Sequence, residues 1–131
     1  MSYYIGTKVQ NKNFDEAIEL VTAELKNEGF GVITEVDVTN TLKNKLDVDF
    51  KKYRILGACN PNFAYQALSA EDKIGILLPC NVVVEEHENG EVEVSAVDPI
   101  VSMSSVENEK LVGLATEVKD RLTRVIENLK A

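Results

Sequence analysis

Two cysteines, Cys59 and Cys80, are the residues of this chain whose type offers chemistry that a packed core does not need. Each is followed directly by an asparagine, Asn60 and Asn81, so each thiol has a polar neighbour. Three roles are open to them. They can be small buried hydrophobes, since free cysteine is among the most buried residue types. They can be a reactive pair, reversibly oxidised or attacking a substrate, and Cys59 precedes an expected helix start, whose partial positive charge favours a thiolate. Or they can line a pocket for a small molecule or a thiophilic metal. A second lead is Glu35 with Asp37, whose alternate-residue spacing at a strand end puts both carboxylates on one side. That pairing suits acid/base or cation chemistry, and equally a capping role. The candidate ligand-binding set is therefore Cys59, Asn60, Cys80, Asn81 and Asp37.

Other chemistry has little support. His87 is the sole histidine and sits among Glu85, Glu86 and Glu88 at a hairpin end. On an extended strand it would lie about 23 Å from Cys80 at ~3.3 Å per residue, too far to share a metal whose ligands sit ~2.0–2.3 Å away. No CxxC spacing supports a thiolate metal site, and no metal is expected. Gly57 and Gly75 fit no phosphate-binding loop, and no Ser/His/Asp constellation is present. No catalytic residue and no cofactor is implied.

The formal charge of −8, from 22 acidic and 14 basic side chains, opposes binding to a phosphate backbone or an anionic membrane surface. No run approaches the ~20 apolar residues a membrane-spanning helix needs, and the N-terminus lacks the pattern of a secretory signal. The expectation is one domain, residues 1–131, in the cytoplasm with reduced thiols.

The elements that must position the candidates follow from periodicity. Residues 3–9 are β-prone. Asn13 with Glu16 can close a capping box ahead of a helix whose Phe14, Ala17, Ile18, Val21 and Leu25 share a face, and Gly29 suits its C′ position. A strand follows from Phe30 to Val36, with Phe30, Val32 and Val36 on one face. A short helix starts near Asp37 or Thr39, and residues 47–52 form a loop. Tyr53–Cys59 reads as a strand, then Asn60 caps a helix with Pro61 in its first turn.

Residues 74–98 read as a hairpin. A two-residue Asn89-Gly90 turn would set Glu88 opposite Glu91 and Glu86 opposite Glu93, so the three-residue loop Glu88-Asn89-Gly90 is preferred. It pairs Val84 with Val94 and Val82 with Ala96. After Asp98-Pro99, Ser104 and Glu107 form a second capping box before an apolar stripe from Leu111 to Leu129. Glu117–Arg121 and Asp120–Arg124 are ion pairs on its outer side.

These elements predict an α+β fold: a curved, mainly antiparallel sheet of about five strands, with a first helix and a long C-terminal helix packed on one face. With Arg54 turned to solvent, Tyr53, Ile55, Gly57 and Cys59 would point inward, on the same side as Cys80, Val82 and Val84.

The segments Tyr53 to Pro61 (YRILGACNP) and Leu77 to Asn81 (LLPCN), with Gly29-Phe30 and Glu35-Val36-Asp37, resemble the family called domain of unknown function 302. The likeness runs from about Phe14 to Pro99. It implies a fold like that of the TATA-binding protein and pairing as a homodimer, and it carries over no activity. The expected role is a small-ligand binding or interaction module with a pocket near Cys59 and Cys80. The alternative is a thiol-dependent redox protein or enzyme using the same two residues.

Overall fold

The structure, a computed structural model, describes residues 2–130. Its strands are β1 (Tyr4–Val9), β2 (Gly31–Asp37), β3 (Tyr53–Cys59), β4 (Cys80–Glu86) and β5 (Val92–Val97). They form one antiparallel sheet in the order β1-β5-β4-β3-β2. Helices α1 (Phe14–Asn27) and α5 (Glu109–Leu129) pack on one face, and their apolar stripes meet Leu56, Ala58, Val82, Val84, Val94 and Ala96 in the main core. The shorter helices are α2 (Val38–Leu46), α3 (Pro61–Ala70) and α4 (Pro99–Ser102), with a 3₁₀ helix over Asp72–Leu77.

Local chemistry explains the boundaries. Asn13 and Glu16 close their capping box at 2.8 and 3.0 Å. α1 ends in a Schellman motif: Phe30 N–H donates to Leu25 and Gly29 N–H to Lys26. Gly29 has φ +86°, and a Cβ there would also stand 2.9 Å from Asn60 Nδ2. Only glycine meets both demands at low cost. Asp37 caps α2 through Asn40 N–H, and Asn60 caps α3 through Phe63 N–H. The β4–β5 register pairs Val84 with Val94 and Val82 with Ala96, and Gly90 takes φ +85° in the three-residue loop.

Five expectations need correction. Residues 74–79 are not strand: most belong to the 3₁₀ helix, and β4 begins only at Cys80, after the cis Leu78–Pro79 bond. Val36 does not share a face with Phe30 and Val32. A register shift between Val32 and Thr34 turns it to the uncovered face, where it is 45 % exposed. The inward parity of β3 is reversed. Leu56 and Ala58 are in the core, while Arg54 lies on their side, its guanidinium 5.8 Å from the Phe14 ring and paired with Glu35 and Asp37. A long cationic side chain can lay its stem on apolar surface and still reach water or a carboxylate, so its charge did not mark the solvent face.

The other two corrections concern the C-terminal helix. Ser104 and Glu107 do not open it. Asn108 caps α5 through Lys110 N–H, and its amide also donates to Ala70 O at 2.8 Å and Glu71 Oε1 at 3.1 Å. Ser104 donates to Val101 O instead. Glu117–Arg121 forms as expected. Arg124, however, pairs with Glu28 at 2.9 Å, fastening α5 to the end of α1.

A candidate ligand pocket at the corner of the sheet

β3 ends and β4 begins at one corner of the sheet, and the two cysteines mark that corner. Ala58, not Cys59, faces Cys80 across the ladder, so the cysteines leave the sheet on opposite sides. Both nevertheless border one cavity of about 320 Å³. It opens between two apolar clusters. One is the main core, represented at the wall by Phe30, Ala58, Cys80 and Val118. The other is a smaller cluster built on Ala67, Ile74 and Leu111, with Leu78, Met103 and Leu114 packed against it.

The space exists because the surrounding elements place small residues there. α3 turns Ala64 and Ala67 towards it, α5 contributes Ala115, and the 3₁₀ helix passes with Gly75. Asn60 holds the rim in place: its side chain caps α3, and it lies against Gly29 at the end of α1. Phe63, the next wall residue, is covered by the Arg121 guanidinium at 5.3 Å, which in turn donates to Glu28 O at 3.0 Å. Among the described residues no Asp, Glu, Lys, Arg or His lines the cavity. Cys80 is buried, and that burial, with the neighbouring Cys59 second, pushes its thiol up to about 11. It is a neutral thiol near pH 7. Both cysteines are free.

Of the five candidates, three come together here: Cys59, Asn60 and Cys80. Asn81 does not. It faces Gly57 on the sheet face that no helix covers, beside a separate recess of about 380 Å³. Asp37 also stands apart, capping α2 and holding Arg54 beside a third recess of about 430 Å³. Glu35 joins it on Arg54, so the one-sided carboxylate pair is real and is engaged by a cation of the same chain. Sequence reasoning missed the walls from α5, Leu111, Leu114 and Ala115. Alanine on otherwise leucine- and valine-rich stripes was the available signal.

The match of the chain to the family model for "Domain of unknown function DUF302" extends over residues 5–129. The chain belongs to the DUF302 family. It is also similar to the crystal structure of an uncharacterized conserved DUF302 protein from Bacillus stearothermophilus, with 29% identity and a TM-score of 0.90. That likeness covers 99% of this chain and 100% of the other. No curated protein matches it. The DUF302 match includes both cysteine-bearing segments of this α+β chain. Among the described residues no helix is long and apolar enough to cross a membrane.

Proposed function

We propose that this DUF302 chain is a binding module that takes an uncharged, largely apolar small molecule in the pocket bordered by Cys59, Asn60 and Cys80. One observation carries the reading: a cavity of about 320 Å³ whose wall has no ionisable side chain other than the two thiols. A phosphate or carboxylate would lose its hydration there with no cation to compensate, a cost of several kcal/mol. An apolar cavity of about 150 Å³ holds benzene, so roughly twice that volume suits a bicyclic ring or a short branched hydrocarbon. Asn60 supplies a polar group at the rim that can orient such a molecule. Cys80, with its thiol held near 11, argues against a catalytic thiolate at that position.

The test is fluorescence titration with N-phenyl-1-naphthylamine, a neutral apolar probe. Saturable 1:1 enhancement is expected, abolished by Ala115→Leu, which fills the cavity from α5. Absence of saturable binding to the wild type, or undiminished binding by a folded Ala115→Leu protein, would overturn the reading.

A further inference from the structure

On the opposite side of the sheet from the helices, Glu85 and Glu93 face one another directly in the β4–β5 register. Like charges in that relation repel, and these side chains are only 16% and 28% exposed, so water screens them incompletely. The chain offsets them with two neighbours. Lys51, from the loop before β3, places Nζ 2.7 Å from Glu85 Oε1, and His87, just beyond β4, places Nε2 2.8 Å from Glu93 Oε1.

One ligand atom each from Glu85, His87 and Glu93 lies within 4.8 Å of the others. We propose that Glu85, His87 and Glu93 form a site for a divalent transition-metal ion of the zinc class, with Lys51 as the cation that holds Glu85 until metal displaces it. Donors ~2.0–2.2 Å from a tetrahedral ion stand roughly 3.3–3.6 Å from one another. Donors now within 4.8 Å of each other would close by up to about 1.5 Å, and the 2.8 Å His87–Glu93 contact would open to admit the ion.

The donor set selects the ion. An imidazole beside carboxylates favours zinc, nickel or copper over magnesium and calcium, which take oxygen ligands alone. Three protein ligands leave a coordination position open. Room for it is provided separately from the ligands: a recess of about 380 Å³ on this face is bordered by Glu85 and Glu93 and walled by Tyr3, Tyr4 and Tyr53. The site is independent of the apolar pocket, which lies at the Cys80 end of β4, whereas Glu85 is near its other end.

Titration calorimetry and visible spectroscopy of the whole chain with Co²⁺ and Zn²⁺, under reducing conditions, test the proposal. One equivalent is expected, with a cobalt spectrum free of sulfur-to-metal charge-transfer absorption. His87→Ala should weaken binding at least about tenfold, the least that loss of even an outer-shell partner of a ligand costs, and Glu93→Gln should do the same. Lys51→Met, which removes the competing cation, should tighten it. Failure of the wild type to bind one equivalent would overturn the site. So would binding unchanged in both His87→Ala and Glu93→Gln, or a charge-transfer band placing the metal on the cysteines.

Discussion

Cys80 shows how a single side chain couples the core to solution conditions. Burial lifts its thiol from an ordinary 9.0 to about 11, so the unfolded chain loses that proton first as pH rises. The folded state then holds one proton more than the unfolded state, and stability falls across that interval. Well below pH 9 the thiol contributes no pH dependence. Between about 9 and 11 it should remove on the order of 2 kcal/mol, and Cys80→Ala should flatten that part of a denaturation-versus-pH curve relative to wild type. Gly57 is a second residue-scale constraint. A Cβ there would collide with Thr34 Oγ1 and stand 2.7 Å from Pro79 Cγ. Gly57→Ala should therefore cost about 1–3 kcal/mol, as overpacking does, with Thr34→Ala recovering part of it in the double variant by urea denaturation. The sequence displayed both cysteines but not their directions. Arg54 was the misleading residue, because its guanidinium lies over Phe14 on the core side of the sheet.

Elements were most legible where backbone chemistry dictates their ends. The Asn13–Glu16 box, Gly29 and the Asn60-Pro61 start are local devices, and each stands where residue type alone places it. Asn13→Ala should cost about 1 kcal/mol in thermal or chemical denaturation. Asn60→Ala should cost more, because the same side chain caps α3 and packs against the end of α1. The hairpin register was also legible, since repulsion between glutamates excluded the alternative turn. Yet the true register still sets Glu85 against Glu93, an opposition visible only with Lys51 and His87 in place. The start of α5 was not legible. Ser104 and Glu107 have the right spacing for a cap, but Asn108 gains bonds to Ala70 and Glu71, which lie 38 and 37 positions away. Such long-range partners override a local motif.

At the scale of the whole molecule, the fold class followed from the order of strand and helix signals, and the DUF302 model spans nearly the entire chain. The pocket did not follow, because it is a seam between two apolar clusters, and its walls come from segments far apart in sequence. Alanines at positions 64, 67 and 115 look like ordinary helix residues until α3 and α5 face each other over the cysteine corner. The most direct measurement of the central claim is a ¹³C-methyl NMR titration with indole, a neutral bicyclic ligand sized for the cavity. Saturable shifts concentrated at Ala58, Ala67, Leu111 and Ala115, with the Val84 and Val94 methyls unmoved, are the predicted result. A flat response at all four positions, or shifts spread evenly over the protein surface, would contradict it.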